Sequence, residues 1–292
     1  MAGEDKFCRE ITQKSASNLA LAFILLPEEK RRAMVILYAF CRMADDIVDE
    51  ESATVEERRA ELNRWKEGLE RIYRHEKTNI PVLDEFARVV WQYNIPFEYA
   101  NELMLGVGMD LEKSEYRTYE ELDLYCYRVA SAVGLMSLRI FGFKHPETEQ
   151  YAIALGKALQ YTNILRDVKV DAEKGRIYMP SEEFEKFGVT SQDIWQSRYT
   201  EAYYNYAKHY SERALGFYKQ ALATLCEEDR PNMIAAELMG AVYWGLFKKL
   251  QAANFDVFSH KPVRLTKWGK IIRILRTWLR FKLGCKRPNY GK

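Results

Sequence analysis

Along almost the whole chain apolar residues recur at three- and four-residue spacing rather than in alternation, and good helix formers fill the positions between them. This pattern predicts an all-α fold. Ser17 or Asn18 can cap a first helix running through LALAFILL and stopped near Pro27. Pro27, Glu28 and Glu29 open the next, with proline at an early position and acids in the first turn. That helix carries Arg31, Tyr38, Arg42 and the acidic run Asp45 to Glu50. Residues 55–75 place Leu62, Trp65, Leu69 and Ile72 on one face and read as a structural amphipathic helix. Helices over 82–93 and 97–111 are broken at Asn94 to Pro96; the second ends in GVGMDLE, with Asp110 among apolar neighbours. Residues 119–143 form an apolar helix rich in Ala, Ser and Gly, with Tyr125 and Arg128 as polar exceptions. Pro146 opens the helix that carries Gln160, Asn163, Arg166, Asp167 and Asp171, and the turn EKGRIYMP ends it at Pro180. Long helices over 199–226 and 231–253 follow, the latter with Tyr243. The expected architecture is a single bundle of about ten helices around a polar interior concentrated on two facing helices.

Composition supports one large core: the chain has 292 residues, 48% hydrophobic and 29% charged, without a Pro/Gly/Ser-rich linker or internal repeat. The five cysteines lack CxxC spacing and read as reduced thiols, and the charged start MAGEDKFCRE predicts no signal peptide. No run reaches the roughly 18 apolar residues of a spanning helix. The net charge of +2 hides an asymmetry, because the segment from Lys261 to Lys292 holds 11 Lys and Arg and no acid. The first 260 residues therefore carry 33 basic against 42 acidic side chains, a net −9. We divide the chain into a domain over 1–264 and a basic tail over 265–292. From Lys267 to Leu283 a helical wheel puts Trp268, Ile271, Ile272, Leu275, Trp278, Leu279 and Leu283 on one arc and Lys270, Arg273, Arg276 and Arg280 opposite. That pattern fits an interfacial helix drawn to anionic lipid, or else a helix packed back on the acidic body. The expected location is the cytoplasm, peripherally on the inner face of the membrane, with no nucleic-acid partner.

The candidate chemistry lies in two acidic pairs, Asp45 with Asp49 and Asp167 with Asp171. On helices each pair shares a face, with β-carbons about 5–6 Å apart. Such a pair is ordinarily a solvated face. Here the flanks MVILYAFC and ALQYTNIL are too apolar for exposed helices, and inward-facing carboxylates this close need a cation between them. Oxygen ligands without nearby His or Cys suit Mg²⁺, which completes its shell with water and substrate phosphates. The four histidines are dispersed and fit neither a metal nor a triad spacing. Gly106 and Gly108 lack the context of a nucleotide loop.

Three blocks, YAFCRxxDDIVDE, YCYRVAxxVG and QxxNILRDVxxDxxxGRIYxP, resemble the squalene/phytoene synthase family, the head-to-head isoprenyl diphosphate synthases. The resemblance covers roughly Ser15 to Arg264, and the wording is most like the bacterial presqualene diphosphate synthases of the hopanoid pathway. It implies the all-α isoprenoid synthase fold around a central cavity. It implies that Asp45, Asp49, Asp167, Asp171 and Asn163 bind magnesium, that Gln160 lines the same site, and that Arg42, Arg166 and Tyr38 hold diphosphate oxygens. Tyr125 falls on the family's catalytic tyrosine, Ser17 on a serine near one diphosphate, and Tyr243 on an aromatic late in the pocket. The chain departs from the family's SxSSFYY, having Ser15-Ala16-Ser17-Asn18-Leu19-Ala20-Leu21. The implied activity is condensation of two farnesyl diphosphates to presqualene diphosphate, passed to a downstream hopanoid-pathway enzyme; NADPH enters only if the reaction continues to squalene. The alternatives are a phytoene synthase using geranylgeranyl diphosphate, and a non-catalytic scaffold on the same fold, whose relatives have lost acidic residues that are intact here.

Overall fold

The computed structural model describes residues 22, 23, 25–259, 262–285 and 287–292; Ser17 and Asn18 lie outside them. The expected all-α architecture is what forms, with no strand among the described residues beyond one isolated parallel bridge between Glu115 and Ile177.

Helix α1 (Glu28–Asp49) starts directly after Pro27 and buries Met34, Leu37, Phe40 and Ala44 on one face. Helix α2 (Val55–Tyr73) begins with a capping box, in which Glu57 N–H donates to Thr54 Oγ1 at 3.2 Å and Thr54 N–H donates back to Glu57 Oε2 at 2.8 Å. Helix α3 (Pro81–Tyr93) ends where Asn94 turns left-handed at φ 50°, and α4 (Phe97–Glu112) follows Pro96. Phe40 of α1 stacks on Phe86 of α3 with ring centroids 4.2 Å apart, which joins this half of the bundle.

The sequence predicts one helix over 119–143. The structure has α5 (Tyr119–Cys126), a π turn over Tyr127–Ser131 and then α6 (Ala132–Phe141). Glycines hold the widened turn from two sides. A β-carbon on Gly106 would come 2.6 Å from Arg128 Cβ, and one on Gly156 would come 2.8 Å from Ser131 Cα. Backbone that close admits only glycine. Gly156→Ala is therefore expected to cost about 1–3 kcal/mol of stability, despite alanine's better helix propensity. Denaturant unfolding checks it; an unchanged midpoint contradicts the close approach.

Helix α7 (Thr148–Glu173) buries residues all round, as the central helix of a bundle must. It stops at Glu173 and not at Pro180, because Gly175 takes φ +78° and the chain then runs extended beside residues 114–116. Two short helices, α8 (Phe184–Phe187) and α9 (Ser191–Trp195), precede α10 (Glu201–Thr224) and α11 (Ile234–Ala252). The last helix is α12 (Lys267–Lys282). The residues after it fold back: Tyr290 is fully buried against Gly240, and its hydroxyl donates to Tyr151 OH at 3.0 Å. The change at residue 264 is thus one of composition, since the final residues fill part of the core.

Candidate active site

Helices α1, α4 and α7 end together, and none has a basic residue in its last turn. Lys or Arg is the favoured occupant of a helix C-terminus, where the backbone carbonyls leave a partial negative charge. In their place the last two turns of these helices carry Asp45, Asp49, Asp110, Asp167 and Asp171. The two acidic pairs read from the sequence meet here, with Asp110 between them.

The electrostatics follow from that crowding. Burial raises the Asp45 carboxyl to about 7, with Asp110 as the next contributor. Asp45 keeps contact with solvent, yet the protein and carboxylates packed around it thin its hydration. Asp171 rises to about 7 through burial and then the neighbouring Asp167. Burial also raises Asp110, although Arg176 and two tyrosines oppose it. Asp49 goes the other way: burial would raise it, but Lys174 and Arg176, at 2.9 and 3.0 Å, hold it below the ordinary carboxylate range. Asp167 is paired with Arg166, whose Nε donates at 2.7 Å. Burial would lower the Arg166 guanidinium, but Asp167 and then Tyr243 push it up.

A second layer surrounds Asp110. Tyr125 OH donates to its Oδ2 at 3.1 Å and Tyr178 OH to its Oδ1 at 2.8 Å. The rings of Tyr116, Tyr125 and Tyr178 lie 5.0–5.5 Å apart by centroid, and Tyr125 is 5% exposed. Asp110, Lys174, Arg176 and Tyr178 were not among the site residues expected from sequence. Arg176 and Tyr178 reach the site because Ile177 N–H donates to Ser114 O at 2.7 Å, laying their segment beside the end of α4.

Next to the acids lies a largely apolar cavity of about 210 Å³, walled by Met34, Val133, Leu138, Phe141, Leu155 and Met239. Gln160, Asn163 and Tyr243 line it too. Asn163 Nδ2 donates to Gln160 Oε1 at 3.4 Å, while its Oδ1 is buried with no partner. Tyr38 is half-buried against the core. Arg42 is about half exposed, pairs with Asp46 at 2.6 Å and is near enough to Asp45 to oppose its upward shift. Ser17 lies outside the described residues.

Among the described residues no three acidic, His or Cys side chains converge tightly enough to hold an ion unaided. The donor set still fits magnesium. Five carboxylates at three helix C-termini and an unpartnered amide oxygen supply hard ligands in excess of the nearby cations, and Mg²⁺ takes one or two carboxylates per ion with water and phosphate for the rest.

Residues 12–269 match the squalene/phytoene synthase family. The chain is 33% identical over 290 residues to the 15-cis-phytoene synthase of Synechococcus elongatus, covering 94% of this chain and 92% of that one. It is 35% identical over 262 residues to the presqualene diphosphate synthase of Rhodopseudomonas palustris, covering 89% and 92%. Among solved structures it superimposes on a dehydrosqualene synthase with TM-score 0.83 at 25% identity, over 96% of this chain and 97% of the other. It superimposes on the squalene synthase HpnC of Alicyclobacillus acidocaldarius with TM-score 0.74 at 27% identity, over 87% and 95%. With its all-α isoprenoid synthase fold, the chain belongs to the squalene/phytoene synthase family and is a prenyltransferase.

Proposed function

We propose that the protein condenses two farnesyl diphosphates head to head and releases presqualene diphosphate. The observation that carries this is the meeting of five aspartates at three helix C-termini beside an apolar cavity. One end suits a diphosphate with its cations and the other a prenyl chain.

Asp45, Asp49, Asp167, Asp171 and Asn163 would hold magnesium, which would neutralise the diphosphate and make it a competent leaving group. Arg166, Arg42, Lys174 and Arg176 supply further positive charge, and Tyr38 and Gln160 help to orient the diphosphate oxygens. Diphosphate leaves one farnesyl chain, and the allylic cation adds to the 2,3 double bond of the other. Loss of one proton then closes the cyclopropane ring, with the second diphosphate still attached. The apolar walls keep water from the cation. Tyr125, ringed by Tyr116 and Tyr178, presents an aromatic face to the positive charge, and its hydroxyl, held by Asp110, relays the departing proton to the free diphosphate. Tyr243 contributes an aromatic wall to the pocket.

The close wording of YCYRVAxxVG and NILRDVxxDxxxGRIYxP to the hopanoid-pathway enzymes supports stopping at presqualene diphosphate, for a partner enzyme to consume. The experiment is incubation with Mg²⁺ and either farnesyl or geranylgeranyl diphosphate, with and without NADPH, followed by mass spectrometry. Presqualene diphosphate from farnesyl diphosphate, unaltered by NADPH, is expected. Stoichiometric squalene with NADPH contradicts it. A C40 product from geranylgeranyl diphosphate favours phytoene synthase, the reading supported by the 94% coverage against cyanobacterial phytoene synthases.

A further inference from the structure

Helix α12 is amphipathic, yet it turns its apolar stripe away from the protein. Trp268, Ile272, Leu275 and Leu279 are 74, 60, 52 and 51% exposed, and Leu283, one residue past the helix end, is 79% exposed. Steps of four, three, four and four residues set these five along one line of the helix surface. The other large apolar side chains left open among the described residues, such as Val55, Trp91 and Leu124, are spread over separate elements. A helix that simply packed back on the acidic body would bury this stripe.

The body instead holds the opposite side, where Ile274 packs against the core, Arg230 lies 5.6 Å over the Phe281 ring and polar residues make further contacts. The Arg273 side chain lies flat on Gly245 of α11, so close that a β-carbon there would fall 1.9 Å from its Nε, and Arg273 Nη1 donates to Gly269 O at 3.0 Å. Thr277 is 2% exposed and exchanges hydrogen bonds of 3.1–3.2 Å with Asn289. Arg230, itself paired with Glu237 at 2.6 Å, reaches the carbonyl of Cys285 just past the helix. The outward orientation is therefore fixed from inside by the close approach at Gly245, by Ile274 and Phe281, and by polar contacts.

Charge decides what covers the stripe. Lys267, Arg276 and Lys282 stand exposed around it, and the segment from Lys261 to the last residue has no acid. Two copies meeting through this face would bring cation against cation with no carboxylate to relieve them. An apolar line flanked by cations matches a layer that offers phosphates above hydrocarbon. The helix also lies near the cavity: Arg273 rests on Gly245, two residues along α11 from the cavity residue Tyr243.

We propose that α12 docks the protein on an anionic phospholipid surface, with Trp268, Ile272, Leu275, Leu279 and Leu283 entering the headgroup region and Lys267, Arg276 and Lys282 pairing with lipid phosphates. No helix among the described residues is long and apolar enough to cross a membrane, so the contact is one of lying on the surface. A prenyl substrate or product confined to the bilayer then has a short path to the cavity.

Removing the tail is the wrong test, because Tyr290 belongs to the core. The full chain should instead be compared with Ile272→Glu/Leu279→Glu and with Lys267→Glu/Arg276→Glu. Co-sedimentation with phosphatidylcholine vesicles, with and without phosphatidylglycerol, measures binding; light scattering gives the oligomeric state and circular dichroism the melting point. The unsubstituted protein is expected to bind the anionic vesicles and to lose binding in high salt. Either double variant should bind at least about tenfold more weakly with an unchanged melting point. Equal binding by all three proteins overturns the proposal, as does no binding by any of them. So does a dimer that Ile272→Glu/Leu279→Glu splits while vesicle binding stays the same. None of these outcomes bears on the reaction, which is read separately from products in detergent.

Discussion

Asp171→Asn and Asp45→Asn should each lower kcat/KM by about 10²- to 10³-fold, the scale of losing one preorganised charge in a reaction that separates a diphosphate from a carbocation. Without metal, both variants should melt at the same temperature as the unsubstituted protein or higher. Each carboxylate is crowded by like charges and poorly hydrated, so its charge is a liability to the metal-free fold. Asp49 separates the two effects. It is paired with Lys174 and Arg176, so Asp49→Asn should lose activity and also about 1 kcal/mol of stability, the modest value proper to a part-exposed pair. Steady-state kinetics and thermal melts in EDTA check both halves. A large drop in melting point for Asp171→Asn would assign that residue to the scaffold.

Tyr125→Phe is the second substitution with a large expected effect. It keeps the ring and removes the hydroxyl held by Asp110, so kcat should fall by about 10²-fold while KM changes little. Tyr178→Phe removes the other hydroxyl on the same carboxylate and should cost less, since its part is to position Asp110. Asp110→Asn keeps an acceptor for one tyrosine only and should fall between the two. If Tyr178→Phe proves the more damaging, the proton relay runs through Tyr178 and the assignment to Tyr125 is wrong.

The acidic pairs were legible because helical spacing and apolar flanks act together: four residues put Asp45 over Asp49, and MVILYAFC could not face water. Helix positions were legible for the same reason. What escaped depends on chain segments that touch only in three dimensions. Asp110 reads as one acid in an apolar run until the ends of α4, α1 and α7 meet. Arg176 and Tyr178 lie in a turn with no period, and a single bridge to Ser114–Glu115 aims them at the site. The π turn after Cys126 is set by Gly106 and Gly156, each distant in sequence from the backbone it admits. The wheel of α12 gave the apolar stripe but set Arg276 opposite it, where the structure leaves Arg276 exposed beside it, and which arc faces out depends on Gly245, where only a residue without a side chain lets Arg273 lie against the body.

The claim that five aspartates at three helix ends form one cation-dependent diphosphate site is tested most directly by calorimetry with an unreactive farnesyl diphosphate analogue. Binding should be at least about tenfold tighter in Mg²⁺ than in EDTA, and Asp171→Asn should remove that difference. Equal affinity in Mg²⁺ and EDTA would contradict it.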